Sequence, residues 1–435
     1  MNRLERLIAE LNTLPKGYIS KKKIRGKIYH YLQYTENGEL KSEYIKSTEL
    51  QGLITDLNRR HEIESQISDY YSNGRDINVL KKRAREFTGS IMMEDTEVAR
   101  FINGVCVYKD DRLCPLFIKR TSNISAYLES RAIDRNRTNA RLLKKVLNIS
   151  DNDDAVISLY AYGASITDNY WFKVSGSKLQ YKDIAFQYDY YNDIALKGEI
   201  LLYPKSPKHS PQLTLTGSYE KCWKRDDEIW WLYKRGSEDE IFSELFCTKL
   251  AKVLRIPTAV YEQDGDYIRT RNFAEASNFE PMTSIAGDDD SYENVFQALL
   301  NISPKLARQY LRLIWFDALV NNVDRHNENC GIMRDKKTGQ ILSLAPNFDN
   351  NLALISRSRT LNLDAAKDGF IKQFLKFINK NSLAKKYYQK MTCPKLDEVT
   401  IAHCLSSIAI KREDVPVAQY VLGRYHYLYA ILFRK

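Results

Sequence analysis

The chain has 435 residues, too many for one compact core, so two or three domains are expected. Hydrophobic residues make up 43% of it, and no apolar run reaches the length of a membrane span, so a helical membrane protein is excluded and no membrane stands among the expected partners. The net charge of +11 favours acidic partners (nucleotides, nucleic acid or acidic proteins) without choosing among them.

Seven cysteines are scattered from Cys106 to Cys404, an odd number with no C-x-x-C pair. Neither a disulfide framework nor a zinc site is expected, and a reducing cytoplasm is the natural location. The charged start, Met1-Asn2-Arg3-Leu4-Glu5-Arg6, does not read as a signal peptide.

Residues 1–13 carry Leu4, Leu7, Ile8 and Leu11 at helical spacing, and Pro15 and Gly17 stop that helix. Three β-prone segments follow, Tyr18 to Ile24, Lys27 to Tyr34 and Leu40 to Ile45. Arg25-Gly26 and Asn37-Gly38 turn them into a meander. Ser47 to Ser72 is helical in pattern, and Ile77 to Phe87 reads as a further helix. Lys21, Lys22, Lys23 and Arg25 interleave with Tyr18, Tyr29 and Tyr31. Such a sheet can bind nucleic acid. The reading preferred from sequence is a solubilising edge whose tyrosines pack on the flanking helices.

Residues 88–195 are the least legible. Ser122-Asn123-Ile124-Ser125 is a helix start. The basic run from Arg135 to Lys145 reads as a solvated helix face, with nucleic-acid contact as the alternative, and Leu142, Leu143, Val146 and Leu147 face inward. Ile166 to Trp171 is expected to pack under a loop. Tyr203 to Pro211, rich in Pro, Ser and Lys, marks an exposed loop.

Leu213 to Thr216 is β-prone, and Gly217-Ser218-Tyr219-Glu220-Lys221 follows. After Cys222-Trp223-Lys224 and a turn at Asp226-Asp227, a strand runs from Glu228 to Lys234. A strand, a glycine turn and a strand ending in lysine can hold the phosphates of ATP, with Gly217, Ser218 and Lys221 at the turn and Lys234 on the α/β-phosphates. The helix Glu240 to Ala251 offers Glu244, or Glu240 one turn earlier, to pair with Lys234. Val260 to Phe273 forms a hairpin about Asp264-Gly265, and Ala274 to Asn278 forms a linker. Asp288-Asp289-Asp290 reads as a loop and helix cap.

Pro304 to Val320 is strongly helical, with Leu306, Tyr310, Leu311, Ile314, Trp315, Ala318 and Leu319 on its apolar stripe. Asn321-Asn322 ends it and presents Asp324-Arg325-His326-Asn327-Glu328-Asn329 on a loop. Twenty residues on, Leu344-Ala345-Pro346-Asn347-Phe348-Asp349 adds a second acid. This is the arrangement phosphoryl transfer needs: Asp324 to accept the proton of an attacking hydroxyl, Asn329 and Asp349 to hold Mg2+ on ATP.

D-R-H-x-x-N followed by L-A-P-x-x-D resembles the HipA-like serine/threonine kinases, and more distantly the phosphoinositide kinases, which share D-R-H-x-x-N. Glu244-Leu245-Phe246-Cys247 and the Leu250-Ala251, Leu254 and Ile256-Pro257 that follow are similar to the helix of that family, which favours Glu244 over Glu240. The resemblance implies an α+β chain with a two-lobed protein-kinase-like fold, preceded by an accessory N-terminal region with a small β-meander and helices. The expected domains are 1–87 and 88–200 as accessory regions, 201–278 as nucleotide-binding lobe and 279–435 as helical catalytic lobe. In kinase-like folds adenine meets the backbone between the lobes, which by chain order places Arg271, Asn272 and Phe273 there. The expected activity is transfer of a phosphoryl group to Ser or Thr on a protein or on the enzyme itself, with His326 a structural hydrogen-bonder. A toxin role beside a small DNA-binding antitoxin is permitted by the resemblance. A small-molecule or lipid kinase, or a DNA-binding regulator on a degenerate kinase fold, are the alternatives. Arg357 to Thr360 stands where an activation segment would run, with Ser356, Ser358 or Thr360 as phosphate acceptors.

Overall fold

A computed structural model describes residues 3–24, 27–36, 39–71, 88–150, 152–200, 209–217, 219–356, 361–412 and 415–432. The two meander turns, the helix expected from Ile77, most of the Pro/Ser/Lys loop, Ser218, and Ser358 with Thr360 lie outside them. The chain divides into two compact units, Met1–Lys109 with Asn123–Gly236, and Asp110–Ser122 with Ser237–Lys435.

In the first unit the Arg3–Thr13 helix leads to a meander of β1 (Tyr18–Ile24), β2 (Lys27–Glu36) and β3 (Glu39–Ile45), followed by the Leu50–Tyr71 helix. Gly17 is needed at the entrance: its φ is +108°, and a Cβ there would lie 2.2 Å from the Gln33 carbonyl oxygen. Arg60 ties the two helices together by donating to the carbonyls of Leu11 and Leu14, both at 3.1 Å. The tyrosines depart from expectation. Tyr29, Tyr31 and Tyr44 pack on one another across the sheet, and Tyr18 and Tyr44 stay more than half exposed.

The illegible stretch contains a four-stranded antiparallel sheet in the order β6-β5-β4-β7, from β4 (Gly89–Met93), β5 (Thr96–Ile102), β6 (Val105–Tyr108) and β7 (Tyr170–Val174). Asn103-Gly104, with φ of 50° and 79°, makes the β5–β6 turn. Tyr170 and Trp171 belong to β7 rather than packing under a loop, because Met92 and Met93 pair with them. Asn123 caps the Ile124–Glu129 helix, as its sequence requires. The basic run is less solvated than expected. The helix spans only Ala140–Val146, Arg137 is buried and donates to the Gln212 carbonyl, and Lys145 reaches Glu64 at 2.7 Å.

Leu213 to Thr216 is not a strand. Ser210 accepts the Gln212 amide, Pro211 presets the turn, and Pro211–Thr214 closes as a 3-10 helix. The Gln212 side chain bonds both backbone groups of Trp223, at 2.7 and 2.9 Å, and so does for this segment what strand pairing would have done. β8 (Lys221–Asp226) and β9 (Ile229–Lys234) then form an antiparallel hairpin.

The second unit has the β10 (Tyr261–Asp264) and β11 (Tyr267–Arg271) hairpin, and a sheet of β12 (Ser277–Pro281), β13 (Gly331–Asp335) and β14 (Ile341–Leu344) in that order. The expected linker Ala274 to Asn278 is thus a short turn running into β12. Helices surround the Pro304–Val320 helix, whose entire expected apolar stripe is buried. The class is α+β, as expected. All seven cysteines are free, and among the described residues no helix is long and apolar enough to cross a membrane.

Candidate active site

Asp317, on the otherwise apolar face of the Pro304–Val320 helix, is fully buried and anchors the site in the second unit. Asn321 ends the helix in the left-handed conformation, φ 55° and ψ 47°. The chain then doubles back. Asn322 donates to Asp317 at 3.2 Å, and its own Oδ1 accepts the Asp324 amide. The Asn329 side-chain NH2 donates to the Asp324 carbonyl at 2.9 Å and to its carboxylate at 3.3 Å. That spends the donor end of Asn329 on orienting Asp324 and leaves its Oδ1 as an acceptor.

Arg325 joins this loop to the second acid. Its side chain makes paired bonds to Asp317, each at 3.0 Å. It also donates to the carbonyls of Asn329 and Phe348, and to the side chains of Asn347 and Asn350 at 2.7 and 3.1 Å. Burial opposes its charge, but the Asp317 carboxylate outweighs burial and raises its pKa above the usual arginine value. Asp349 therefore sits between two fixed neighbours. The Phe348 carbonyl is held by Arg325, and the Asn350 amide donates to the buried carboxylate of Glu244 at 2.9 Å. Asp349 itself has φ of 61°, a backbone state that costs a non-glycine residue about 1–3 kcal/mol and persists where the surroundings impose it.

Asp324, Asn329 and Asp349, picked from sequence, thus share one bonded network through Arg325. Sequence reasoning missed Arg325, Asp317, Asn322 and Asn350 as its organisers. The readable sign was Asp317, a lone acid among the apolar positions of a buried helix. The His326 Nδ1 accepts the Glu328 amide at 3.2 Å. Asp289 accepts the Ser291 amide and Ser291 caps the Tyr292–Ile302 helix, so the acidic run is a loop and cap. Ser356 is fully buried, which removes it as a phosphate acceptor in this conformation.

Glu240 is taken up by the capping box of the Glu238–Val253 helix, where Ser237 and Glu240 bond each other's backbone amides. Glu244 bonds both the backbone and the side-chain amide of Asn350. Arg271 is exposed and pairs with Glu275, and Asn272 turns back to accept the Ala274 amide at 3.0 Å. Phe273 packs against Phe279 and Phe348, which links this turn to the residue beside Asp349.

In the first unit Gly217 has φ of +85°, and a Cβ on it would meet the Lys221 ammonium at 2.6 Å. Lys221 and Lys234 are direct partners across the β8–β9 hairpin, so both side chains leave the same face. Two lysines on one face of a hairpin suit a phosphate.

The donors also fit magnesium. Asn329 and Asp349 offer hard oxygens. Among the described residues no three His, Cys, Asp or Glu gather into a cage. A cation here would complete its shell from phosphate and water, which is the habit of magnesium.

Residues 207–401 match the family of the HipA-like C-terminal domain. That stretch of the chain, which holds the site, is a HipA-like C-terminal domain. Residues 1–53 match a domain of unknown function (DUF6788). No curated protein matches the chain. Among solved structures it is similar to the Helicobacter pylori proinflammatory kinase CtkA, at 16% identity over 49% of this chain and 89% of that one, with a TM-score of 0.38. It is also similar to the toxin–antitoxin complex of HipA, HipB and operator DNA from Shewanella oneidensis MR-1, at 15% identity over 79% of this chain and 96% of that one, with a TM-score of 0.47.

Proposed function

We propose that the chain is an ATP- and magnesium-dependent kinase of the HipA-like kind that phosphorylates Ser or Thr hydroxyls on a protein, itself included. The observation that carries this reading is the Arg325 network, which holds Asp324, Asn329 and the left-handed Asp349 in one rigid set. In kinases of known mechanism an acid, an amide and a second acid in this chain order are the parts that act.

Asp324 takes the proton of the acceptor hydroxyl as its oxygen bonds to the γ-phosphorus and the bond from that phosphorus to the β–γ bridging oxygen breaks. Asn329 orients Asp324 and, with Asp349, offers oxygen ligands to magnesium. ATP and magnesium, when bound, supply the phosphoryl group and neutralise its charge. Lys234 binds phosphate oxygens, Lys221, Gly217 and Ser218 serve the same phosphates, and Glu244 braces the Asp349 segment. Backbone groups at Arg271, Asn272 and Phe273 hold the adenine. The reading keeps 1–87 and 88–200 as accessory regions, 201–278 as the nucleotide-binding part and 279–435 as the catalytic part. A cytoplasmic toxin role beside a DNA-binding antitoxin belongs to the same proposal.

Incubation with labelled ATP and magnesium, with this protein and with a host lysate, tests it by mass spectrometry. Phosphoserine or phosphothreonine on a protein is expected. Label confined to a metabolite or lipid, or no label at all, overturns it.

A further inference from the structure

The registers of the meander sort its side chains cleanly. Lys22 faces Tyr29, Ser20 faces Tyr31, and Tyr18 faces Gln33 across β1 and β2. Tyr31 faces Tyr44 and Gln33 faces Ser42 across β2 and β3. Because side chains alternate along a strand, Tyr18, Ser20, Lys22, Lys27, Tyr29, Tyr31, Gln33, Leu40, Ser42 and Tyr44 all leave one face of the sheet. Among the described residues of these strands that face carries no acid, while Glu43 lies on the other, bonded to Tyr34.

The face is assembled rather than incidental. Lys22 Nζ stands 4.7 Å from the centre of the Tyr31 ring, Tyr31 meets Tyr44 edge-on at 5.8 Å, and Tyr29 lies 6.0 Å from Tyr44. Tyr18 is 57% and Tyr44 54% exposed, and Lys22, Lys27 and Ser42 are exposed as well. Leu40 is the one exposed aliphatic side chain among the described residues of this face, too little for a partner held by apolar contact, and a rim for solubility would not gather rings. Open rings interleaved with lysines match the two halves of an unpaired nucleotide chain, bases to stack and phosphates to neutralise.

We infer that this face of the β1–β3 meander is a docking surface for single-stranded RNA. Tyr29, Tyr31 and Tyr44 stack on bases, and Lys22 and Lys27 neutralise phosphates. The choice of RNA rests on Ser20, Gln33 and Ser42, whose hydroxyl and amide groups lie among the rings and match the donor–acceptor character of the ribose 2′-hydroxyl. The inference is independent of the phosphotransfer reading, which uses none of these residues.

The test is fluorescence anisotropy of the full chain with a labelled oligouridylate of about twelve nucleotides, at about 50 mM and about 200 mM salt. Salt-sensitive binding is expected, tighter than to the matching deoxyuridine oligomer or to duplex RNA. Tyr31→Ala with Tyr44→Ala should weaken it about tenfold or more. Lys22→Gln should reduce the slope of log affinity against log salt by about 0.7. Tyr34→Phe, on the other face, should leave binding unchanged, and melting temperatures of all variants show that they fold. Duplex bound as tightly, equal affinity for the deoxy strand, equal loss in Tyr34→Phe, or no binding at the lower salt would each overturn the inference.

Discussion

Lys221 and Lys234 stand directly opposite one another across the β8–β9 hairpin, and the Lys221 ammonium lies over the Cα of Gly217. Two lysines on one face of a hairpin beside a glycine turn are suited to the phosphates of ATP. Lys234→Met should weaken ATP binding about tenfold or more, roughly 1.4 kcal/mol, by isothermal titration. Lys224→Met is the control. Lys224 leaves the other face of β8 and lies over the Tyr233 ring. Equal ATP affinity in Lys234→Met and the parent would remove the assignment.

Asp349 separates chemistry from stability. Its positive φ is a state that glycine adopts freely. Asp349→Gly should therefore abolish magnesium-dependent phosphate transfer while keeping or raising the melting temperature. Asp349→Ala should lose the same activity and melt lower. If Asp349→Gly retains transfer across a magnesium titration, another group holds the metal.

Arg325 is the structural keystone. Arg325→Met leaves the buried Asp317 carboxylate without its partner, a change that typically costs about 3–5 kcal/mol. Arg325→Lys should recover little, because an ammonium cannot reproduce a planar fork that spans Asp317, two carbonyls and two side-chain amides. Denaturant titration of both variants checks this; parental stability in either contradicts it.

Asp324 should matter to the chemical step and not to nucleotide affinity. Asp324→Asn keeps its shape and its bond to the Asn322 side chain but cannot take a proton. Phosphate transfer should fall about 10²- to 10⁴-fold with ATP affinity near parental. Retained transfer per folded molecule would show that Asp324 only shapes the loop.

Acid should loosen the C-terminal helices through Asp368. Its carboxylate caps the Gly369–Lys380 helix and accepts from the buried Arg424 at 3.1 Å. Burial pushes its carboxyl up, but Arg424 and the helix amide outweigh burial and hold it below the usual range. The unfolded value is about 3.9. With the folded value lower, the stabilisation is present above about pH 3.9 and is lost as pH falls through the folded value. Asp368→Asn should lower the melting temperature near neutrality and flatten its decline in acid. An acid limb as steep as the parent's would place the loss in other carboxylates.

The local elements were legible because local physics sets them. The apolar stripe of Pro304 to Val320, the Pro15 and Gly17 stop and the Asn123 cap each depend on neighbours a few residues away. Asn103-Gly104 announced the β5–β6 hairpin in the same terms and lay in plain view. Asp324, Asn329 and Asp349 could be picked out as candidates too, since the chemistry proposed for them is carried by residue type and order. The tertiary structure alone decided what holds them. Arg325 binds Asp317 behind it and Phe348, Asn347 and Asn350 ahead, and Glu244 bonds Asn350 across 106 residues of chain. Leu213 to Thr216 failed as a strand for the same reason, because the Gln212 side chain, not a strand partner, secures it to Trp223. A buried arginine or carboxylate must find partners wherever the fold brings them, and no sequence periodicity encodes which carbonyl that will be.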